Sequence, residues 1–189
     1  DVNGDGYSDL IVGAYGYSSN TGRAYIYFGG LTMDNVADVV LTGPSVVSFG
    51  YSVSSAGDVN GDGYGDVIVS GHTFSSNTGR AYIYYGGLNM DNIADKTLQG
   101  AVSGGFFGFS LSKAGDYNGD GFSDVIVGAY AVSSFQGRAY LFFGGANMDT
   151  LADLTFTGES SSNFFGQIVS DAGDLNGDGY SDMLISAPS

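Results

Sequence analysis

Short apolar runs recur along the chain between clusters of glycine, serine and asparagine. Residues 66–70 are apolar at nearly every position, which predicts a strand that is buried on both faces. Residues 80–85 alternate between aliphatic residues and arginine or tyrosine, the period of two that is typical of a strand. Further strands are predicted at 49–56 and, with a weaker pattern, at 95–98. No segment keeps a helical period, so the pattern predicts an all-β protein.

An acidic, glycine-rich segment occurs four times and shows that the chain is built from internal repeats. Residues 58–64 read Asp-Val-Asn-Gly-Asp-Gly-Tyr, and near-identical segments begin at Asp1, Asp116 and Asp174. These segments start 57, 58 and 58 residues apart. Each period therefore has room for the four predicted strands, and a four-stranded antiparallel unit repeated in tandem is a β-propeller blade.

The repeat boundaries predict one propeller-type domain over 1–189 that is an incomplete ring or part of a larger propeller. A blade has four strands, which we call first to fourth in chain order. The predicted units are a partial blade with the second to fourth strands at 1–44, full blades at 45–102 and 103–160, and a partial blade with the first two strands at 161–189.

The charge balance excludes several classes of partner. Lys and Arg number 5 against 20 Asp and Glu, which gives a net charge of −15. Such a chain cannot neutralise a phosphate backbone or dock on anionic lipid, so we expect no nucleic-acid partner. No apolar run is long enough to span a bilayer, so we expect no membrane insertion. The absence of cysteine excludes disulfide scaffolds, thiolate zinc sites and thiol nucleophiles.

The acidic segments have the residue types of a calcium site. In residues 58–66, oxygen-bearing side chains stand at loop positions 1, 3, 5 and 9, and Tyr64 at position 7 can supply its backbone carbonyl. Gly63 permits a sharp turn around one point. Hard oxygen ligands in a flexible loop suit Ca²⁺ better than Mg²⁺, which demands near-ideal octahedral geometry. The four loops hold 12 of the 20 acidic residues, so the acidity itself is explained by cation sites.

Two alternatives to this prediction share part of the pattern. Glycine-rich Asx turns that bind no ion would also use Asp, Asn and Gly. An EF-hand shares loop positions 1, 3, 5 and 6, but it needs a bidentate Glu at position 12, where the chain has Val69 in the second loop. Its flanks should also be helices, whereas strands are predicted here.

Taken together, the motifs resemble the FG-GAP repeat family, which is best known from the head of integrin alpha subunits. The Phe-Gly pair occurs at 49–50, 107–108 and 165–166. Segments that correspond to Gly-Ala-Pro occur at 13–15, 70–72, 128–130 and 186–188, although only the last keeps the proline. The resemblance implies a β-propeller, often seven-bladed, with Ca²⁺ between the first two strands of some blades. It also implies an extracellular or cell-surface location and a role in adhesion or ligand binding.

Carried over position by position, the resemblance implies a set of metal ligands in each loop. They are Asp1, Asn3, Asp5, Tyr7 and Asp9; Asp58, Asn60, Asp62, Tyr64 and Asp66; Asp116, Asn118, Asp120, Phe122 and Asp124; and Asp174, Asn176, Asp178, Tyr180 and Asp182.

Three residue sets outside the loops have two interpretations each. Arg23, Arg80 and Arg138 share one repeat position and form either a ligand-binding ring or, as we favour, salt bridges to Asp38, Asp95 and Asp153. His72 would need a nucleophile to act as a catalytic base, and no nucleophile motif occurs in the chain, so we expect it to pack in a loop instead. The loops opposite the cation sites carry Tyr17, Phe74 and Phe135, which serve either ligand binding or local packing.

The sequence thus predicts a calcium-binding, secreted or cell-surface β-propeller segment that acts in adhesion, scaffolding or assembly and not as an enzyme. The alternative is a lectin-like module that binds carbohydrate through the loops opposite the calcium sites. The expected partners are a protein or glycan ligand, together with further copies of the chain or the remainder of a longer propeller.

Overall fold

Glycine-rich turns separate short strands throughout the computed structural model, which describes residues 1–32 and 34–188. The strands in chain order are β1 (Leu10–Ala14), β2 (Arg23–Tyr27), β3 (Val39–Thr42), β4 (Val53–Gly57), β5 (Asp66–Gly71), β6 (Arg80–Tyr84), β7 (Lys96–Gln99), β8 (Ser110–Gly115), β9 (Asp124–Ala129), β10 (Arg138–Phe142), β11 (Leu154–Thr157), β12 (Val169–Gly173) and β13 (Asp182–Ile185).

These strands form four sheets in which every neighbouring pair is antiparallel. β4-β5-β6-β7 and β8-β9-β10-β11 are four-stranded meanders in chain order, whereas β1-β2-β3 has three strands and β12-β13 has two. The prediction of an all-β protein made of four-stranded antiparallel propeller blades is confirmed. Among the described residues, no helix is long and apolar enough to cross a membrane.

A four-residue helical turn lies between the second and third strands of each four-stranded sheet, and at the equivalent place between β1 and β2. These turns are α1 (Tyr17–Asn20), α2 (Phe74–Asn77) and α3 (Val132–Phe135). They are not ordinary helices, because their central residues are left-handed: Ser75 has φ 45° and Ser76 has φ 56°. Left-handed backbone costs a residue other than glycine roughly 1–2 kcal/mol, so the surrounding structure imposes it.

The hydrophobic core lies between the sheets and not within any one of them. In β5, Val67 and Val69 pack in the cluster that contains Ala24 and Ile26 of β2, while Ile68 packs in the cluster on its other side, toward β8 and β9. All six residues of β5 are buried. The continuous apolar run is therefore explained by a neighbouring sheet on each face, as the sequence predicted.

The first strand of the full blade starts later than predicted. Residues 49–56 were expected to be extended, but β4 begins only at Val53. The reason is that Phe49, which is fully buried, forms a parallel bridge with Gly22 of the preceding sheet. Gly50 then takes φ 79° and donates its N–H to the Ser70 carbonyl (2.9 Å). The Phe-Gly pair thus connects two blades before the strand begins.

We expect Gly79→Ala to destabilise the protein much more than Gly16→Ala. Gly79 has φ 83°, and a Cβ there would overlap the backbone of Phe107, which belongs to the next Phe-Gly pair. Gly16 has φ −79°, and a Cβ there would meet nothing within 4 Å. The first change should lower the free energy of unfolding by at least about 1–2 kcal/mol, and the second should stay within about 0.5 kcal/mol. Denaturant unfolding measures both, and equal effects would contradict the tight contact.

Candidate functional site

A β-bulge directs the chain into the loop that was predicted to bind a cation. The β4–β5 register shifts between Ser55 and Gly57, and Gly57 has φ 76°. A bulge bends its strand and re-aims the residues that follow, here the loop of residues 58–66. The same shift precedes two other loops, between Lys113 and Gly115 and between Asp171 and Gly173. We call the segments 1–9, 58–66, 116–124 and 174–182 the cation loops.

The first carboxylate of each cation loop organises the loop backbone. Oδ1 of Asp58 accepts the N–H groups of Gly61 (2.7 Å) and Asp62 (3.1 Å), and Oδ2 accepts that of Gly63 (2.9 Å). Asp1, Asp116 and Asp174 make the corresponding three bonds in their loops. The turn is therefore wound around a single carboxylate.

The side chains at loop positions 3 and 5 are joined to each other. Asn60 donates Nδ2–H to Asp62 Oδ2 (2.8 Å), and Asn60 Oδ1 accepts the Asp62 N–H (3.0 Å). Asp62 Oδ1 accepts the N–H of Tyr64 (3.0 Å). The pairs Asn3 and Asp5, Asn118 and Asp120, and Asn176 and Asp178 repeat this arrangement. Asx turns are therefore present in all four loops.

These bonds leave acceptor capacity for a cation. A carboxylate has about four lone-pair sites, of which Asp58 uses three and Asp62 uses two for the bonds above. Within residues 1–32 and 34–188, however, no group of three or more acidic or histidine side chains is arranged so that it could hold a metal ion. The donor set is all oxygen and fits a hard cation in its chemistry, but the side chains face the loop backbone.

The carboxylate at loop position 9 is the most buried member of the set. Asp66 is fully buried, and its two oxygens accept N–H bonds from Val59 and Gly86, both at 2.8 Å. Burial raises the pKa of the Asp66 carboxyl to about 7, although these two bonds favour the charged form. Asp124, with Tyr117 and Gly144 as donors, has its pKa raised by burial to about 6. Asp9 likewise accepts N–H bonds from Val2 and Gly29, and Asp182 accepts one from Leu175.

The comparison with protein families covers the same segments. The model of the FG-GAP repeat matches residues 1–27, 49–84, 107–142 and 168–189, which together hold all four cation loops. The chain belongs to the FG-GAP repeat family. The resemblance found in the Phe-Gly pairs and acidic loops is thereby confirmed.

Integrin alpha chains are relatives of this FG-GAP repeat chain over about half its length. It is 38% identical to integrin alpha-3 of Cricetulus griseus over 97 residues, 47% of this chain and 9% of the integrin. It is 35% identical to integrin alpha-6 of Gallus gallus over 97 residues, 49% of this chain and 9% of the integrin. It is 35% identical to integrin alpha-PS2 of Drosophila melanogaster over 99 residues, 44% of this chain and 7% of the integrin. The matches thus span less than a tenth of these relatives.

The prediction that the repeated arginines form salt bridges to Asp38, Asp95 and Asp153 is wrong. The guanidinium groups of Arg23 and Arg80 lie over the rings of Tyr17 (3.9 Å) and Phe74 (3.5 Å), and Arg80 Nε also donates to Gln99 Oε1. The expected partners Asp38, Asp95 and Asp153 instead accept backbone N–H groups of Phe28, Tyr85 and Phe143 (each 2.7 Å). Within the described ranges, the salt bridge that forms is Lys113 to Asp171 (3.3 Å).

The FG-GAP repeats also bring together an aromatic cluster that the sequence analysis missed. Phe135 stacks on Tyr130 and contacts the tilted ring of Phe164, and from there ring contacts continue across three sheets. Neighbouring ring centroids lie 4.3–6.3 Å apart. We call this cluster the aromatic belt: Tyr15, Tyr51, His72, Phe106, Phe109, Tyr130, Phe135 and Phe164. Aligning the repeats could have found it, since Tyr51 and Phe109 each follow a Phe-Gly pair.

His72 is enclosed within the aromatic belt. It is 7% exposed, lies 4.3 Å from the Tyr51 ring and 5.8 Å from the Phe109 ring, and its buried Nδ1 has no hydrogen-bond partner. Burial lowers the pKa of the His72 imidazole to about 4 from 6.5. The packing role expected for this residue agrees with its surroundings.

We expect His72→Phe to remove an acid-induced loss of stability. The native imidazole stays neutral down to about pH 4, whereas the unfolded one takes up a proton near pH 6.5. The unfolded state therefore binds more protons between these values, and the native protein loses stability as pH falls through this window. After allowance for solvent screening, the loss relative to the variant should reach about 2 kcal/mol.

The measurement is the difference in free energy of unfolding between the native protein and His72→Phe, from pH 7.5 to 4.5 without calcium. The raised pKa values of Asp66 and Asp124 make the native state more stable as pH falls. Both proteins contain these residues, so their contributions cancel in the difference. A difference that does not change with pH would show that His72 is not buried in its neutral form.

Proposed function

We propose that this chain is a calcium-binding segment of an extracellular or cell-surface β-propeller that acts in adhesion, scaffolding or assembly, without catalysis. The observation that carries the proposal is the fourfold repetition of one oxygen-only donor set, each copy wound around its first aspartate and retaining unused acceptor sites. Asx turns and cation binding are compatible, because the turns use only part of the lone pairs of each loop.

The residues proposed to hold Ca²⁺ are the side chains at loop positions 1, 3, 5 and 9 and the backbone carbonyl at position 7. In the second loop these are Asp58, Asn60, Asp62, Asp66 and the carbonyl of Tyr64, with the equivalent residues in the other three loops. The ion would supply positive charge to a group of like-charged carboxylates. Four ions, each with two positive charges, would change the net charge of the chain from −15 to −7, which would relieve repulsion within each loop.

The cell-surface location and the adhesive role are proposed from the family relationship. The relatives are integrin alpha chains, and the FG-GAP repeats of this chain contain the cation loops. Because the match covers only part of each relative, the partners of this chain are proposed at the level of class, a protein or glycan ligand. Membrane insertion and nucleic-acid binding are not part of the proposed role.

Exposed apolar faces on the outer sheets support assembly with further blades. Leu10 and Val12 of β1 are 50% and 42% exposed, whereas the equivalent Val67 and Val69 of β5 are 3% and 0% exposed. Leu184 of β13 is also exposed, at 59%. We propose that further blades, from a longer chain or from a second copy, cover these faces, and that 45–102 and 103–160 are complete blades between the partial ones at 1–44 and 161–189.

We expect calcium to stabilise the protein through the cation loops. EDTA should lower the melting temperature, and millimolar Ca²⁺ should restore it, because an ion that binds only the native state stabilises it by about 2.7 kcal/mol per site at a hundredfold excess over Kd. Asp62→Asn should reduce the rise in melting temperature that Ca²⁺ produces. Asp149→Asn, the same change outside the cation loops, should not. Melting that is unaffected by thorough chelation would contradict the calcium proposal.

The aromatic belt supports the second candidate, a ligand-binding surface on the side opposite the cation loops. Tyr15, Tyr51 and Phe135 are 51%, 40% and 44% exposed within it. Half-exposed rings on a rigid scaffold bury large areas at small entropic cost when a ligand covers them. Tyr17 and Phe74 remain proposed contacts in the adjoining loops, each with an arginine stacked on its ring. The lectin alternative would use this surface for a glycan.

The lectin alternative predicts that the calcium-loaded chain binds defined glycans on a broad array. In that case Tyr51→Ala should weaken binding at least about fivefold, because truncating a ring at the centre of an interface commonly costs more than 1 kcal/mol. Tyr17→Ala, at the edge of the surface, should weaken it less. No glycan binding on the array would overturn the lectin alternative and leave a protein ligand.

A further inference from the structure

Consecutive cation loops are joined by backbone hydrogen bonds. The carbonyl of Asp58 accepts the N–H of Ser123 (2.9 Å), and the Asp58 N–H donates to Ser123 Oγ (3.2 Å). The residue that opens one loop is thus held on both of its backbone groups by position 8 of the next loop. The carbonyl bond recurs from Gly65 to Asp1 (2.7 Å) and from Ser181 to Asp116 (3.1 Å).

The aromatic ring at loop position 7 packs on the loop before its own. A Cβ at Gly61 would overlap the ring of Phe122, which therefore lies directly against position 4 of the second loop. The same contact joins Gly4 to Tyr64 and Gly119 to Tyr180, whereas Gly177 in the fourth loop has nothing within 4 Å. Phenylalanine serves as well as tyrosine, so the contact depends on the ring and not on a hydroxyl group.

The ring contact also supports Asp58, the residue at loop position 1. Gly61, which the ring covers, donates its N–H to Asp58 Oδ1 (2.7 Å). Phe122 and Ser123 of the third loop therefore fix both the backbone of Asp58 and the turn that orients its carboxylate. The position-7 side chain has no role as a ligand in its own loop, because the proposed ligand there is the backbone carbonyl.

We propose that the position-7 ring is a positioning residue for the cation site of the preceding loop, so that the four sites are energetically coupled in chain order. This inference rests on the proposed calcium binding. An ion that orders one loop also fixes the ring and the N–H that support the loop before it. The preceding loop then loses less conformational freedom when it binds its own ion, and its affinity rises.

The test uses two single-site backgrounds of the full chain. Asp5→Asn, Asp120→Asn and Asp178→Asn together leave the Asp58 loop intact. Asp5→Asn, Asp62→Asn and Asp178→Asn leave the Asp116 loop intact. Phe122→Ala is added to each, and Ca²⁺ affinity is measured by titration calorimetry, with circular dichroism to verify the fold.

We expect Phe122→Ala to weaken calcium binding about fivefold or more at the Asp58 loop, the lower end of typical coupling between sites. The loss at the Asp116 loop should be smaller, although Phe122 belongs to that loop. Phe122→Tyr should restore the affinity of the Asp58 loop. Tyr180→Ala should instead weaken calcium binding at the Asp116 loop, because the Tyr180 ring packs on that loop. If Phe122→Ala does not fold, Phe122→Leu, which keeps volume but not the flat ring, takes its place.

Two results would overturn the inference, and they are distinguishable. If Phe122→Ala weakens both loops equally, or only its own, the ring does not position the preceding site, while calcium binding itself stands. If neither background binds Ca²⁺ with Phe122 in place, the calcium proposal fails, and the coupling fails with it.

Discussion

The fold depends on sheets that are apolar on both faces. Val67 and Val69 of β5 face one neighbouring sheet and Ile68 faces the other, and β9 repeats this division with Val125 and Val127 against Ile126. Such a sheet cannot be stable alone, because one of its faces would meet water whichever way it turned. Stacking the sheets in tandem covers both faces, and the Phe of each Phe-Gly pair, buried at Phe49 and Phe107 and partly buried at Phe165, connects one sheet to the next.

The same stacking brings the cation loops into a row at one side of the blades. Three of the four loops follow a bulge at the end of a first strand, and a repeat that is 57 or 58 residues long returns the same loop to the same place. The row concentrates negative charge and buries Asp66 and Asp124 within it. The opposite side carries the aromatic belt, whose eight members include no acidic residue. Two chemically different surfaces thus arise from one repeated unit.

Much of this was predictable because the repeat multiplies each signal. The strands, the antiparallel blades, the family and the acidic loops were all evident in residues 49–98 and in their copies. The left-handed turns at Ser75 and Ser76 were not, because serine has no preference for that conformation and tertiary packing imposes it. The arginine partners were predicted wrongly for a related reason. Charge alone favoured Asp95 for Arg80, but that carboxylate is engaged by the N–H of Tyr85, and the guanidinium lies on Phe74 instead. Whether the loops hold ions depends on side-chain rotations that spacing does not determine.

The placement of the core between sheets has a consequence for local unfolding. β5 and β9 are covered on both faces. In contrast, β1 exposes Leu10 and Val12 to solvent, and β13 exposes Leu184. In a one-dimensional array, opening an outer sheet breaks one layer of contacts, and opening an inner sheet breaks two. Amide protons of β5 and β9 would therefore exchange with solvent through rarer openings than those of the outer strands. The chain would melt inward from its first and last sheets, so that the middle layer, around Ile68 and Phe107, is the last part to lose its protection.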